Sequence, residues 1–162
     1  RFAQRASLVA RIAARALTPR GPMRVFVDTK LWVYPFDRRQ PDKSSAIARW
    51  LRNLVQEHEV VVSTQVLIEL RSVLTGRLKP AFSPEDTRTA LEALAAVEVV
   101  ASHANTVLDA HELALAEQLS CLDALIAEAA LRSQCAVLYS EDFSHGRRLG
   151  GQLLVHNPFI AA

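Results

Sequence analysis

The chain has 162 residues, half of them hydrophobic, and a formal charge of +2, so it is long enough to bury one hydrophobic core. No apolar run approaches the roughly 18 uncharged residues of a membrane-spanning helix, and two cysteines are too few for a disulfide framework. These features exclude a membrane-spanning protein and a disulfide-stabilised secreted domain. We predict one soluble domain in a reducing, cytoplasmic compartment, with Cys121 and Cys135 as small core residues.

The first 22 residues differ in charge from the rest of the chain. The segment RFAQRASLVARIAARALTPRGP carries five arginines and no acid, whereas residues 23–162 hold more acids than bases. Leu8, Ile12 and Ala16 recur at helical spacing, which predicts a cationic amphipathic helix outside the single domain of residues 23–162. Three interpretations stay open: an appendage before a start at Met23, a mitochondrial transit peptide, or an arm that docks on an acidic groove or a nucleic acid.

Strands and helices then alternate along the chain. The β-branched run MRVFVDT predicts a first strand that ends at Asp28. The segment DKSSAIARWLRNLVQEH predicts an amphipathic helix capped by Asp42, with Ala46, Trp50 and Leu54 on its apolar face. EVVVS predicts a second strand.

Further helix starts and strands complete the pattern. Ser63 is placed to cap the helix TQVLIELRSVLTGRLK, and Ser83 with Pro84 and two acids predicts the start of SPEDTRTALEALAA. VEVV, CAVLYS and GGQLLVHNPF predict three more strands, and NTVLDAHELALAEQL and SCLDALIAEAALRSQ two more helices. Because helical segments separate the strands, we predict a three-layer α/β/α fold with a mainly parallel sheet of about five strands.

Four acids lie at positions in this predicted fold that suggest a functional site. Parallel sheets bind ligands beyond the carboxyl ends of their strands, and Asp28 and Asp142 follow strands at that edge. Glu69 in VLIEL and Asp123 in CLDALI lie among apolar residues, where an ionised carboxylate is unfavourable unless donors or a cation meet it.

Each acid in a helix also has an ordinary explanation. Glu69 is either solvated or paired with Arg71 or Arg77, and Asp123 caps a helix or stabilises its dipole. Taken together, however, four carboxylates that converge on one crevice would repel one another unless a divalent cation neutralised them. An all-oxygen site suits Mg²⁺ or Mn²⁺ and takes substrate phosphates as further ligands.

The segments VFVDT, STQVLIEL, LSCLDALIAEAAL and VLYSEDFSHGR with VHNPF resemble, in order and spacing, the motifs of the PIN domain. Within that family the chain resembles the VapC-like toxins, from about Met23 to Phe159. The resemblance implies a PIN-like fold and a Mg²⁺- or Mn²⁺-dependent endoribonuclease that acts as the toxin of a toxin–antitoxin pair. It implies an RNA substrate, a cognate antitoxin as partner and a homodimer. The implied catalytic acids are Asp28, Glu69, Asp123 and Asp142, of which Asp28, Asp123 and Asp142 are the implied metal ligands.

The same resemblance suggests supporting residues. Thr29 and Ser140 match hydroxyl residues beside the acids, and Glu141 matches a common acidic neighbour. Relatives usually carry Asn or Ser two places after the first Asp, where this chain has Lys30, and many carry an aromatic residue at the position of Leu122. A lysine at that position either pairs with the acids and weakens metal binding or holds a phosphate as a point charge.

Residues for RNA binding follow from charge and aromaticity. Lys30, Arg147 and Arg148 are candidates for contact with RNA phosphates, and Trp32 and Tyr34 either stack on a base or pack in the core. Two other functions stay open. One is a Mg²⁺-dependent α/β phosphohydrolase of another family, and the other is a non-catalytic PIN-like interaction module in which Lys30 fills the metal position.

Overall fold

The computed structural model describes residues 23–78 and 80–160, so the predicted helix in residues 1–22 lies outside the described residues. The strands are β1 (Arg24–Val27), β2 (Glu59–Ser63), β3 (Glu98–Val100), β4 (Val137–Tyr139), β5 (Arg148–Leu149) and β6 (Leu153–His156). The helices are α1 (Thr29–Val33), α2 (Pro41–Glu57), α3 (Thr64–Ser72), α4 (Pro84–Leu94), α5 (Ala104–Glu117) and α6 (Cys121–Arg132). A 3₁₀ turn, Tyr34–Phe36, follows α1, and a π-helical turn, Val73–Arg77, follows α3.

The strands form one sheet in the order β3-β2-β1-β4-β6-β5. All neighbours are parallel except β5 and β6, which are antiparallel. The predicted mainly parallel α/β fold is therefore confirmed, although the sheet has six strands where about five were expected. The additional strand, β5, has two residues, which is too short to produce a periodic pattern in the sequence.

The centre of the sheet positions the functional edge. Val25, Phe26 and Val27 of β1 are fully buried, as expected of a central strand covered on both faces. The backbone N–H of Asp28 donates to the carbonyl of Tyr139 at 3.0 Å. The carboxyl ends of β1 and β4 therefore lie side by side, and the residues that follow them emerge at the same edge.

Helix α2 differs from its prediction in two details. Gln40 occupies the N-cap position and Pro41 the first helical position, so Asp42 lies in the first turn and does not cap the helix. The buried face is formed by Ile47, Leu51 and residues near them, whereas Ala46 is exposed. The spacing of Ala46 from Trp50 predicts a buried alanine, but the larger aliphatic side chains determine which face is buried.

Two smaller predictions also need correction. Ser63 occupies the N-cap position of α3, but its hydroxyl is buried and has no hydrogen-bond partner among the described residues. Cys135 is buried as predicted, whereas Cys121 is exposed at the first position of α6, so its assignment to the core was wrong. In the described part of the chain, no helix is long and apolar enough to cross a membrane.

The start of α4 agrees with its sequence signature and provides a test of the fold. The hydroxyl of Ser83 accepts a hydrogen bond from the backbone N–H of Asp86 at 3.0 Å. We expect Ser83→Ala to lower the free energy of unfolding by about 1 kcal/mol, because one N–H of the first turn loses its acceptor. Ser83→Asp keeps an acceptor and should stay within a few tenths of a kcal/mol of the wild type. Urea denaturation measures both, and an unchanged midpoint for Ser83→Ala would contradict this role.

Candidate active site: an acidic cleft at the carboxyl ends of the strands

A cleft of about 530 Å³ opens at the carboxyl-end edge of the sheet. All four acids predicted from the sequence, Asp28, Glu69, Asp123 and Asp142, line it. Each comes from a different part of the fold: Asp28 follows β1, Glu69 lies on α3, Asp123 lies in the first turn of α6, and Asp142 follows β4. The parallel topology thus gathers acids that are up to 114 positions apart in the chain.

Asp28 is the most buried of the four acids, with 7% of its surface exposed. One carboxylate oxygen accepts a hydrogen bond from the backbone N–H of Thr29 at 2.7 Å, and the other accepts from the hydroxyl of Ser140 at 2.6 Å. Burial, which is the largest cause, and the negative charges of Asp142 and Glu69 raise the pKa of Asp28 to about 6, against the two hydrogen bonds, which lower it. The protein therefore holds this carboxylate in surroundings that disfavour its charge.

Glu69 is oriented by two donors at the cleft wall. The hydroxyl of Thr29 donates to one of its oxygens at 2.6 Å, and the side-chain amide of Gln65 donates to the other at 2.7 Å. The same amide donates to the carbonyl of Leu122 at 3.2 Å, which ties α3 to the start of α6. Among the described residues no ion pair joins Glu69 to an arginine, so the alternative of a pair with Arg71 or Arg77 is not formed. Thr29 donates to Glu69, and its supporting role in the site stays a prediction.

Asp142 is held by the loop that follows β4 and by a lysine. The Ser140 hydroxyl, which donates to Asp28, also accepts from the backbone N–H of Asp142 at 3.1 Å. The ammonium of Lys30 donates to the Asp142 carboxylate. This hydrogen bond raises the pKa of Lys30, with burial acting in the opposite direction. Ser140 therefore joins two of the acids, and Lys30 neutralises one of them.

Asp123 makes the contacts of a helix start. The Ser120 hydroxyl accepts from the backbone N–H of Asp123 at 3.1 Å and donates to its carboxylate at 2.7 Å. The capping explanation therefore describes its local contacts, while its position in the cleft wall keeps it available to a ligand.

The donor set can be compared with the needs of a metal ion. Across residues 23–78 and 80–160, no group of three or more His, Cys, Asp or Glu side chains is arranged to hold a metal ion. The chemistry nevertheless fits a hard divalent cation, because the candidate ligands are carboxylate oxygens in one cleft. The raised pKa of Asp28 reflects first its burial and then, to a smaller extent, the negative charges of Asp142 and Glu69. The Lys30 ammonium forms an ion pair with Asp142, which is one of the candidate metal ligands.

Glu141 belongs to a neighbouring cluster that the sequence did not reveal. The hydroxyl of Tyr34 donates to one Glu141 oxygen at 2.6 Å, and the ammonium of Lys43 lies 3.6 Å from the other. Lys43 also lies over the ring of Phe159, 4.2 Å from its centre, and that ring contacts Tyr34 edge-to-face at 5.3 Å. Both Glu141 oxygens are thus engaged by protein groups, so this residue fixes the loop that carries Asp142. Tyr34 and Glu141 are 107 positions apart, and no local pattern predicts their contact.

Of the three basic residues that the sequence suggested for RNA contact, Lys30 lies at the cleft and the two arginines do not. Lys30, Arg39 and Arg77 line the cleft, whereas Arg147 and Arg148 are absent from its lining. Arg147 donates to the carboxylate of Glu117 at 2.9 Å, and Arg148 is exposed on β5 at the edge of the sheet. The cleft therefore gives no support to Arg147 and Arg148 as phosphate contacts.

The two aromatic residues that the sequence suggested for stacking on a base lie in different environments. Trp32 is fully buried and donates from its ring N–H to the Val27 carbonyl at 3.2 Å. Tyr34 lines the cleft, but 8% of its surface is exposed and its hydroxyl is bound to Glu141. Core packing is thus the role of Trp32, and positioning of the acidic loop is the role of Tyr34.

Comparisons with known proteins agree with this architecture. The family model of the PIN domain matches residues 25–148. The crystal structure of VapBC2 from Rickettsia felis, bound to a DNA fragment from its promoter, superposes with a TM-score of 0.60 at 21% identity, over 83% of this chain and 98% of that one. Mycobacterium tuberculosis VapC20, described as a sarcin–ricin loop cleaving toxin, superposes with a TM-score of 0.54 at 20% identity, over 70% of this chain and 86% of that one. No curated protein matches the chain in sequence.

The buried charge of Asp28 predicts an unusual dependence of stability on pH in EDTA-treated protein. Its folded-state pKa of about 6 lies above the ordinary value of 3.8, so the folded state binds the proton more tightly than the unfolded state does. Stability should therefore fall as pH rises from about 4 to about 6, and the full penalty remains above that range. We expect Asp28→Asn, which carries no charge, to be more stable than the wild type by about 1–3 kcal/mol near pH 8.

Denaturant unfolding at several pH values measures this difference, which should shrink toward about pH 4. Glu112→Gln, an exposed position on α5 outside the cleft, is the matched control and should show no such trend. An Asp28→Asn variant that is less stable than the wild type near pH 8 would contradict the prediction.

Proposed function

Because the chain belongs to the PIN-domain family, we propose that it is a divalent-metal-dependent endoribonuclease that acts as the toxin of a toxin–antitoxin pair. The observation that carries the proposal is the single cleft lined by Asp28, Glu69, Asp123 and Asp142. The fold that it shares with VapC20, described as a sarcin–ricin loop cleaving toxin, supports the choice of RNA as substrate.

Asp28, Asp123 and Asp142 are the residues that would hold Mg²⁺ or Mn²⁺ in this proposal. A bound ion would supply Lewis-acid polarisation of a phosphodiester oxygen and lower the pKa of a water molecule. Carboxylate oxygens are the ligands that such hard cations prefer, and sites of this kind also accept substrate phosphates. The chain itself contributes a cleft in which the negative charge of Asp28 is already buried.

The surrounding hydroxyl groups orient these acids. Ser140 donates to Asp28 and accepts from the backbone N–H of Asp142, so one side chain sets the relative position of two candidate ligands. Thr29 fixes Glu69 in the same way. Such support reduces the rearrangement that is needed when a ligand binds, which is the usual role of groups that hydrogen-bond to metal ligands.

The RNA backbone would be contacted by the arginines that line the cleft. Arg39 is held by Asp37 through hydrogen bonds of 2.9 and 2.7 Å, and its side chain is 73% exposed. Arg77 lies at the end of the π-helical turn and is exposed. Contacts to phosphates position a nucleic acid without reading its sequence, so these two residues suit placement of the strand beside the acids.

A cognate antitoxin is the proposed protein partner. The Rickettsia felis structure is of VapBC2 bound to promoter DNA, and by analogy this chain would associate with a DNA-binding antitoxin. An acidic cleft attracts a basic segment by Coulomb interaction, so the antitoxin segment that covers the cleft should be basic. A homodimer is proposed by analogy with VapC-like relatives.

The ion pair between Lys30 and Asp142 favours one competing function, a non-catalytic interaction module. In such a module the lysine would take the place of the metal permanently. Titration with Mn²⁺ distinguishes the two functions, because a ligand that binds only the folded state raises the melting temperature in a concentration-dependent manner. A non-catalytic interaction module would show no rise in melting temperature from Mn²⁺ bound in the cleft.

Incubation of the purified protein with mixed RNAs at millimolar Mg²⁺ or Mn²⁺ tests the proposed activity. We expect endonucleolytic cleavage that EDTA abolishes, and a loss of about 100-fold or more in Asp28→Asn and in Asp123→Asn, because each variant removes a charged ligand oxygen. Glu112→Gln, outside the cleft, should stay within about twofold of the wild type. Cleavage that persists in Asp123→Asn would contradict the assignment of the site.

A further inference from the structure

We propose that Lys30 is a tethered cation that competes with the divalent metal for Asp142, and that it must leave this carboxylate before the metal is held. The inference rests on the proposed function and concerns the same cleft. It identifies Lys30 as a positioning residue that sets the affinity of the site for metal.

The position of Lys30 in the chain makes the contact possible. Lys30 is the second residue of α1, two positions after Asp28, and its ammonium reaches across to the loop that follows β4. The two partners are 112 positions apart, so the pair depends on the pairing of β1 with β4. It joins the ends of the two strands whose acids are candidate metal ligands.

The ammonium and a divalent cation need the same oxygen atoms. Lys30 donates to Oδ1 of Asp142, and a cation bound to this carboxylate would lie within a few ångströms of the ammonium. Like charges at that distance repel each other. Occupation of Asp142 by one cation therefore opposes occupation by the other.

The present arrangement agrees with a site occupied by the lysine. Within the described ranges no group of three or more potential ligands is arranged for a metal ion, although four acids line the same cleft. The acids are instead satisfied by protein donors: Ser140 for Asp28, Thr29 and Gln65 for Glu69, Ser120 for Asp123, and Lys30 for Asp142. Lys30 is the one cation among these donors.

The contact is of a kind that a ligand can displace. The side chain of Lys30 is 55% exposed and that of Asp142 34% exposed, and exposed ion pairs contribute little because water competes for both groups. Lysine also has a flexible four-carbon stem. Once released, its ammonium can contact an RNA phosphate as a point charge, so entry of the substrate and binding of the metal would assist each other.

Calorimetric titration of the metal-free protein with Mn²⁺ tests the proposal without reference to activity. We expect Lys30→Met to bind Mn²⁺ roughly three- to thirty-fold more tightly than the wild type, because it removes both the competing contact and the repulsion. Lys30→Arg keeps the charge and should stay within about threefold of the wild type. Arg77→Met removes a different cation from the cleft lining and should change the affinity by less than about threefold.

The outcomes separate this inference from the proposed function. Equal or weaker binding of Mn²⁺ by Lys30→Met, with binding still lost in Asp28→Asn, overturns the role of Lys30 and leaves the metal site intact. A comparable gain in Arg77→Met also overturns it, because general charge removal would then explain the effect. Absence of Mn²⁺ binding in the wild type and in Lys30→Met overturns both the inference and the proposed function. Circular dichroism and melting curves confirm that each variant is folded.

Discussion

Burial of the Asp28 carboxylate at the end of a central parallel strand is the constraint on which the site depends. A buried negative charge is unfavourable unless hydrogen bonds or a cation compensate for it. Ser140 and Thr29 supply two hydrogen bonds, yet the pKa of Asp28 stays raised to about 6, chiefly through burial and further through the charges of Asp142 and Glu69. In the proposed nuclease, a bound divalent metal would compensate for this charge.

The neighbouring charges are arranged around this constraint. Lys30 neutralises Asp142, and Lys43 with Tyr34 engages Glu141, but in the described part of the chain no salt bridge reaches Asp28. Glu69 and Asp123 likewise form no salt bridge among the described residues, so three of the four cleft acids are left for an external cation. Functional sites often keep such unfavourable groups at the expense of stability.

Those parts of the fold and site that depend on local pattern were predictable from the sequence. The β-branched run of β1 and the capping signature of Ser83 determine local structure, and acids that follow parallel strands must meet at one edge. The contact of Tyr34 with Glu141 and that of Arg147 with Glu117 depend on how distant segments pack. The spacing of residues along the sequence does not predict such long-range contacts.

Side-chain size and strand pairing explain the remaining differences. In α2, periodicity alone cannot decide between neighbouring faces when alanines occupy both, so the buried face follows the larger aliphatic side chains. The two residues of β5 form a strand only because β6 lies beside them. The pairing of Lys30 with Asp142 is one of the two alternatives that the sequence left open for that lysine, and it is the contact that the structure shows.

Anomalous diffraction from a crystal of the wild-type protein soaked in Mn²⁺ tests the central claim most directly, because it locates the metal without reference to activity. We expect a peak within the acidic cleft, in contact with the carboxylates of Asp28 and Asp142, with the Lys30 ammonium moved away from Asp142. A peak confined to other surfaces, or a cleft that stays free of metal with the Lys30 contact intact, would contradict the claim.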